Sequence, residues 1–270
     1  MVYGILFILC AFILLPLGWM FTTALRPDNT PTFTIPPEFF PTKYWHWENF
    51  SRALTNRNLP FFIFTLNTLK IFALNVIGSV ISCTMCAFAF SRMRFRGKKM
   101  LFNFLLVTML IPFAVLMIPT FIMFNKLGWY GTILPLVVPA FFGNAFFIFL
   151  ITQYMKTIPV ALDEAAIIDG ANYFQIYWRI ILPLSMPVVA VQVVFLFLNT
   201  WGDLLGPLIY LTNTSQFTVA IGLASFATRE NPNNNLLMAA NLIMMIPPLI
   251  LFFFAQEKLI GGIASVGLKG

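Results

Sequence analysis

Charged residues are scarce in this 270-residue chain: only 9% of its residues are Asp, Glu, Lys or Arg, whereas 60% are hydrophobic. A soluble domain is typically about 25% charged, so this chain has too few charges to cover a water-facing surface. The mean hydropathy of +0.87 agrees with that interpretation. The composition therefore excludes an ordinary soluble domain and indicates an integral membrane protein.

Residues that build catalytic and metal sites are also scarce. The chain has a single histidine, His46, and its three cysteines, Cys10, Cys83 and Cys86, show neither disulfide nor metal spacing. No Gly-rich phosphate loop of the Walker type is present. We therefore predict no catalytic residue, no metal site and no cofactor in this chain, and any energy from ATP would have to come from a partner.

Long apolar stretches are what the sequence has in abundance. A bilayer-spanning helix needs about 20 mostly apolar residues, and six stretches qualify: residues 2–24, 61–90, 100–124, 133–154, 184–211 and 236–255. The first can also be interpreted as a signal peptide, but it lacks a basic segment and is longer than the usual apolar run of about 7–15 residues. We predict an all-α integral membrane protein with one transmembrane domain over residues 1–270.

The basic residues predict how these spans are oriented. Five of the sixteen lie in one short loop between the second and third stretches, namely Arg92, Arg94, Arg96, Lys98 and Lys99. Because Lys and Arg are enriched in cytoplasmic loops, this loop, residues 155–183 and both termini are placed on the cytoplasmic side. Basic residues that act as a topology signal do not indicate nucleic-acid binding, and membrane lipid is the expected surrounding.

Two other classes of membrane protein have requirements that this sequence can be compared with. An intramembrane enzyme needs a nucleophile–base pair or a metal constellation in its spans, and no predicted span contains a histidine. An ion-coupled secondary transporter needs intramembrane ionisable groups and usually repeat halves, for which Lys70 and Asp203 give little support. The ion-coupled secondary transporter is the alternative to the function developed below.

Residues 155–183 form a charged segment between two apolar stretches and predict two short helices. Pro159 suits the first position of a helix, and Gly170 suits its C-terminal stop. Asn172 and Gln175 have the spacing of a capping box that starts a second helix. Aromatic and apolar residues then recur at helical spacing: Phe174, Tyr177, Trp178 and Ile181. The pattern predicts either a compact knob on the inner surface or an interfacial helix pair that merely connects two spans.

The same segment resembles the EAA motif of membrane subunits of binding-protein-dependent ABC importers. The pattern EAA, three residues, G, nine residues, I-x-LP is matched in register by Glu164, Ala165, Ala166, Gly170, Ile180, Leu182 and Pro183. In that family this loop is a coupling helix that docks in a cleft of a cytoplasmic ATPase subunit. The resemblance implies that these residues and Asp169 contact an ATPase, and it implies a type I ABC importer permease fold with six transmembrane helices and a cytoplasmic two-helix coupling loop. We call residues 155–183 the EAA loop.

Further segments resemble carbohydrate permeases of the maltose type, in particular their second, shorter permease. The resembling segments are NTL at 67–69, AFAFSRMRFRGKK at 87–99, NTWGDLLGPLIYL at 199–211, FTVAIGLASF at 217–226 and QEKLIGGIASVGLKG at the C-terminus. One departure is Gly202, where Asn is common in the family. The resemblance implies an ATPase-contacting tail and a last outer loop that dips into a binding protein. The tail residues are Gly267, Leu268, Lys269 and Gly270, and the loop residues are Phe226, Arg229, Asn231 and Asn233.

The resemblance also implies partners and a function. The chain would be a non-catalytic permease subunit in a bacterial inner membrane and would form the translocation pathway for a sugar, specifically an oligosaccharide. Its partners would be a paralogous permease, two ATPase subunits that bind ATP and Mg, and an extracytoplasmic sugar-binding protein. The sequence does not name the sugar.

Four residues in the spans are predicted to line the sugar path: Asn67, Asn199, Trp201 and Asp203. Aromatic faces suit the CH faces of a sugar ring, and amide or carboxylate groups suit its hydroxyls. A charge at the bilayer centre costs about 2.5–3.5 kcal/mol on insertion scales, so Asp203 is expected to face protein or water. A structural contact is the alternative interpretation for Asp203, and interhelical hydrogen bonding is the alternative for Asn67.

Overall fold

The regular secondary structure is entirely helical in the part of the chain that the structure describes. The structure is a computed structural model, and it describes residues 2–28, 44–56, 59–226 and 234–267, with side chains up to residue 256. These ranges contain no β-strand. The helices are α1 (Val2–Ala24), α2 (Glu48–Leu54), α3 (Phe61–Arg92), α4 (Lys98–Thr108), α5 (Phe113–Lys126), α6 (Leu134–Val137), α7 (Ala145–Thr157), α8 (Ala161–Ile168), α9 (Tyr173–Ile176), α10 (Leu182–Leu184), α11 (Met186–Gly202), α12 (Leu205–Tyr210), α13 (Val219–Phe226) and α14 (Asn234–Gly267), with 3-10 turns at Val138–Phe142 and Thr214–Gln216 and a π-helix at Tyr177–Ile181.

Several of the described helical segments are long and apolar enough to cross a membrane. By length and composition four qualify singly, Val2–Ala24, Phe61–Arg92, Leu134–Thr157 and Asn234–Gln256. The number rises to six if each of two bent pairs is one span: Lys98–Thr108 with Phe113–Lys126, bent by 97°, and Tyr173–Leu184 with Met186–Gly202, bent by 72°. The predicted all-α membrane fold is confirmed; the six predicted stretches overlap these segments, and their exact bounds as spans stay a prediction.

The third predicted span, residues 100–124, is broken where the sequence suggested one continuous helix. Helix α4 ends at Thr108 and α5 begins at Phe113. Pro112 stands between them in an extended conformation, with ψ of 139°, and its missing N–H removes one bond from a helical ladder. The residue before a proline also disfavours helical geometry. These two effects explain the sharp bend.

The fourth predicted span, residues 133–154, is also interrupted. Gly143 adopts φ of +87°, a conformation that L side chains rarely adopt. Asn144 then begins α7, because its side-chain oxygen accepts hydrogen bonds from the amides of Phe146 (3.0 Å) and Phe147 (3.3 Å). This is an N-cap, a role that the apolar pattern of the stretch did not predict.

The contacts of the chain cluster in two compact units, and the first comprises Met1–Thr68 and Ser215–Ile250. Helix α1 is buried only at Thr22, Thr23 and Ala24, as suits an apolar helix that faces lipid or another membrane subunit. Its end is held by Asn49 of α2, whose amide donates to the carbonyl oxygens of Ala24 and Arg26, both at 2.9 Å.

The second unit comprises Leu69–Thr214 and Leu251–Gly270. Its core lies where α3, α7 and the EAA loop meet, and its buried members are Cys83, Ala87, Phe88, Phe147, Ile148, Ile151, Met155, Ile158, Ala166, Ile176, Tyr177, Ile181 and Val188. The EAA loop is therefore built into the core of this unit. The single permease domain over residues 1–270 stays a prediction.

Candidate functional site

The two predicted helices of the EAA loop are present, with a small shift at the start. Helix α8 begins at Ala161, two residues beyond the predicted first position at Pro159. Gly170 has φ of +83°, which confirms the left-handed conformation expected where a helix stops. The capping box is confirmed as well, since the Gln175 amide donates to Asn172 Oδ1 and the Asn172 amide donates to Gln175 Oε1, each at 2.9 Å.

The second helix of the loop is not uniform along its length. It passes from α9 through the π-helix Tyr177–Ile181 into α10 and reaches Leu184 before the chain bends by 72°. Pro183 has no N–H, and its ring crowds the carbonyl one turn earlier. The helix therefore changes from the α to the wider π hydrogen-bond pattern before Pro183 and does not end there. Pro187 in the first turn of α11 has the same lack of a donor, which fits the bend at Ser185.

The inner face of the EAA loop packs against one side of α3. The hydroxyl oxygens of Tyr177 and Thr84 lie 2.8 Å apart. The ring of Tyr177 meets that of Phe88 edge to face, with centroids 5.4 Å apart. Ile176 and Ile181 are also buried in this core. The second helix of the loop is therefore fixed to the membrane-spanning part of the unit by both packing and a polar contact.

The first helix of the loop is held by a charged contact that the sequence reasoning missed. Asp163 Oδ2 lies 2.8 Å from Arg92 Nε, and Arg92 Nη2 donates to the carbonyl oxygen of Ile158 at 2.8 Å. Burial raises the pKa of the Asp163 carboxyl, Arg92 acts in the opposite direction, and the neighbouring Glu164 adds to the rise. The basic loop was interpreted only as a topology signal, and no local pattern linked its first residue to a carboxylate 71 positions later.

The outer face of the loop is open to solvent. Glu164, Ala165, Asp169 and Gly170 are exposed. Around them lie large apolar side chains that a water-facing loop would not ordinarily expose: Leu162 (42%), Ile167 (50%), Ile168 (85%), Phe174 (66%) and Trp178 (59%). Exposed apolar patches beside charged residues are typical of protein interaction sites.

The remaining predicted ATPase contacts in the loop are placed differently. Ala166 is only 9% exposed and belongs to the core, so its small side chain serves the packing of α8. Ile180 and Leu182 are half-buried, and Pro183 is exposed. These ATPase contacts stay a prediction.

The residues predicted to line a sugar path differ in their surroundings. The Asn67 amide donates to the carbonyl oxygens of Ser215 (2.8 Å) and Phe217 (3.0 Å), which favours the hydrogen-bonding alternative. Asn199 is exposed, and the buried ring of Trp201 stacks on Phe197 with centroids 5.2 Å apart. The substrate path stays a prediction.

Asp203 stands at a break in the fifth predicted span, between α11 and α12. Its Oδ1 accepts a hydrogen bond from the Gly206 amide at 3.0 Å, which supports the start of α12. The carboxylate also borders a cavity of about 550 Å³ whose wall includes Phe124, Trp129 and Tyr210. Asp203 thus has the structural contact that was its alternative interpretation, while it remains next to an open space lined by aromatic rings.

The other predicted contacts lie at the edges of the described chain. Phe226 is 3% exposed and stacks on Phe61 with centroids 5.6 Å apart. Gly267 is the last residue of α14. Arg229, Asn231 and Asn233 of the outer loop and Leu268, Lys269 and Gly270 of the tail lie outside the described residues. Within the described residues, no group of three His, Cys, Asp or Glu side chains could hold a metal ion.

The sequence is similar to those of curated transport proteins. A relative from Photorhabdus laumondii, the maltose/maltodextrin transport system permease protein MalG, is 30% identical over 283 residues, which cover 98% of this chain and 94% of the relative. The protein of the same name from Escherichia coli K12 is 30% identical over 278 residues, with the same coverage.

Two solved structures have a similar fold. The chain matches the crystal structure of a bacterial ABC transporter involved in the import of the acidic polysaccharide alginate with a TM-score of 0.81, 22% identity and 94% of each chain covered. It also matches the bacterial alginate ABC transporter in complex with alginate pentasaccharide-bound periplasmic protein, with a TM-score of 0.62, 18% identity, and 78% and 81% of the two chains covered.

The family assignment comes from a model that covers most of the chain. The model of the binding-protein-dependent transport system inner membrane component matches residues 75–264. That range contains α7, the whole EAA loop, and α11. This match agrees with the 30% identity to MalG proteins over nearly the full chain. The chain belongs to the family of binding-protein-dependent transport system inner membrane components.

Proposed function

We propose that this chain is a permease subunit of an ATP-driven importer and that it contributes to the membrane pathway of an oligosaccharide. The family membership supports a transport role that depends on a binding protein. The substrate class follows the maltose/maltodextrin relatives and the alginate transporter that shares the fold. Both named substrates are chains of sugar units, which supports an oligosaccharide rather than an ion or an amino acid.

The observation that carries this proposal is the two-sided construction of the EAA loop. Its inner face is buried against α3 through Tyr177 and Asp163. Its outer face presents Glu164 among exposed apolar side chains such as Ile168 and Phe174. A loop whose base is packed into the core and whose outer face exposes apolar side chains is suited to bind a partner. Movements of that partner can then be transmitted through the loop to the membrane helices.

The partner in this proposal is an ATPase subunit on the cytoplasmic side. This chain has no Walker-type phosphate loop, so ATP and Mg would be bound by two partner ATPases and the chain itself would be non-catalytic. A paralogous permease would complete the pathway, and an extracytoplasmic binding protein would deliver the sugar. The orientation follows the basic loop and places both termini in the cytoplasm.

The test is co-purification from detergent-solubilised membranes through an affinity tag on this chain, with identification of the bound chains by mass spectrometry. We expect an ATPase, a second permease and a solute-binding protein. The ATPase should be lost from the Glu164→Lys variant and retained in Glu48→Lys, which makes the same charge change on α2, outside the loop. Purification of this chain alone from native membranes would overturn the proposal.

A further inference from the structure

The base of the EAA loop holds a charged pair that is nearly removed from solvent. The Arg92 side chain is 5% exposed and that of Asp163 is 11% exposed, with Nε and Oδ2 2.8 Å apart. A second nitrogen of the same guanidinium, Nη2, donates to the carbonyl oxygen of Ile158 at 2.8 Å. Ile158 is the residue at which α7 ends, so one side chain of α3 contacts both α7 and α8.

Stability alone gives no reason for a charged pair in this place. Removing two charges from water has a free-energy cost that their attraction does not necessarily offset, and well-packed apolar residues often serve as well. Phe88, four residues before Arg92, and Ala166, three residues after Asp163, share a helix face with the pair and belong to the buried apolar cluster. Moreover, Asp163 Oδ1 and Arg92 Nε are both buried and have no hydrogen-bond partner within the described residues.

A guanidinium, unlike an apolar side chain, constrains the direction of the polar contacts that it makes. Its planar group holds its donors in a rigid arrangement. Here Nη2 donates a hydrogen bond at the end of α7, while Nε lies 2.8 Å from a carboxylate oxygen of α8 as an ion pair without hydrogen-bond geometry. The carbonyl at a helix C-terminus carries partial negative charge, which favours a cation there. Through these two contacts Arg92 connects α3 to α8 and to the end of α7.

The second helix of the EAA loop is attached to the same side of α3. Thr84, Phe88 and Arg92 are spaced by four residues and therefore lie on one face of the helix. Thr84 and Phe88 contact Tyr177, and Arg92 contacts Asp163. One face of α3 thus holds both helices of the loop, with the charged pair at the helix end.

We propose that Arg92 is a positioning residue that makes the EAA loop and the end of α3 move as one body, so that a displacement of the loop is transmitted to α3. The inference rests on the proposed function, in which an ATPase displaces the exposed face of the loop. Arg92 has too little exposed surface to contact that partner itself. It acts through Asp163, the residue directly before Glu164 on α8.

The test compares three variants in the complete complex, purified through a tag on this chain and reconstituted in liposomes. Arg92→Gln leaves Asp163 as an uncompensated buried charge, so its amount in the membrane should fall. Arg92→Gln with Asp163→Asn removes both charges and should restore that amount. Arg94→Gln makes the same substitution at an exposed arginine two residues away and serves as the matched control.

The readout is the uptake of labelled maltodextrin per ATP hydrolysed, which a purely structural role would not change once the protein has folded. In the double variant we expect the ATPase to remain bound and to hydrolyse ATP, while uptake per ATP falls about tenfold, at the scale of residues that carry coupling. The Arg94→Gln control should stay within about twofold of the wild type, as surface substitutions usually do.

If the double variant takes up as much sugar per ATP as the wild type, the inference is overturned. The charged pair would then contribute only to packing. Failure of the double variant to accumulate, or loss of its ATPase, would also overturn the inference, because the pair would then serve folding or docking. If instead the wild-type complex shows no ATP-dependent uptake, the proposed function itself fails and the inference falls with it. The wild-type measurement therefore separates the two failures.

Discussion

The hydroxyl groups of Tyr177 and Thr84 meet at 2.8 Å in the buried core, and this contact joins the second helix of the EAA loop to α3. Thr84 Oγ1 also lies 2.6 Å from the carbonyl oxygen of Val80, to which it donates. The Thr84 hydroxyl therefore keeps a partner if the Tyr177 hydroxyl is removed. The ring of Tyr177 is 5% exposed, so its contribution to packing can be separated from that of its hydroxyl group.

Tyr177→Phe should destabilise the protein by about 1 kcal/mol, the usual net contribution of one hydrogen bond. Tyr177→Ala should cost about 3–5 kcal/mol, because it also leaves a cavity. Thermal unfolding of the detergent-solubilised protein measures both. Tyr173→Phe removes a hydroxyl from a ring that is 53% exposed and should have no effect. Equal losses for Tyr177→Phe and Tyr177→Ala would contradict this account of the contact.

The loss of stability in Gly170 variants should come from backbone strain alone. A Cβ built there meets nothing within 4 Å, but φ is +83°. The left-handed conformation costs an L residue roughly 1–2 kcal/mol, and Asn tolerates it better than other residues do. Stability should therefore fall in the order Gly, Asn, Ala, Val.

Gly202 is the matched control for Gly170, because its Cβ position is equally open and its φ is not in the left-handed region. Gly202→Ala should change the midpoint of thermal unfolding less than Gly170→Ala does. If the two alanine variants were equally destabilised, strain at Gly170 would not be the cause.

Reversing the charge at Glu164 should separate docking from folding. Glu164 is exposed, so Glu164→Lys should leave the amount of protein in the membrane within about twofold of the wild type. Sugar uptake should fall at least about tenfold, since charge reversal at a partner surface replaces attraction by repulsion. Glu164→Gln should be intermediate. Normal uptake by the Glu164→Lys variant would remove Glu164 from the docking surface.

The ion pair between Asp28 and Arg52 should make a contribution to the free energy of unfolding that depends on pH. Arg52 donates to both carboxylate oxygens of Asp28, at 3.1 and 2.7 Å, and Asn235 donates to Oδ1 at 2.8 Å. The Arg52 hydrogen bond is the main reason that the pKa of Asp28 lies below its ordinary value. The unfolded chain therefore binds a proton at higher pH than the folded protein does, and the stabilisation is present above about pH 4 and lost below it.

Asp28→Asn should accordingly lower stability at neutral pH by about 0.2–1 kcal/mol, the range for a partly exposed pair. The difference from the wild type should shrink as the pH falls from about 5 towards 3. Thermal unfolding at several pH values measures this difference in stability. Asp169→Asn, at an exposed carboxylate, is the control. A difference between wild type and Asp28→Asn that grew with acid would contradict the sign of the effect.

Local features of the EAA loop were predictable because they depend on residues close together in sequence. The stop at Gly170 needs only a residue that tolerates positive φ, and the capping box needs only Asn172 and Gln175 three positions apart. Both are present as predicted. The membrane-spanning character of the apolar stretches likewise depends on local composition.

Other features were not predictable because they depend on contacts between distant segments. Nothing in the basic loop singles out Arg92 as the partner of Asp163, since its neighbours Arg94 and Arg96 carry the same side chain. The hydrogen bond from the Gly206 amide to Asp203 has no signature in the sequence beyond the general possibility of a structural contact. The sequence alone did not show that the bend near Pro112 would reach 97°.

The most direct test of the central proposal is uptake of labelled maltodextrin into liposomes that contain the complex purified through this chain, with the co-purified binding protein added outside. The account predicts uptake that requires ATP inside the liposomes and the binding protein outside, and that is unchanged when proton and sodium gradients are dissipated. Uptake driven by an ion gradient without ATP, by this chain alone, would contradict the account and establish an ion-coupled secondary transporter in its place.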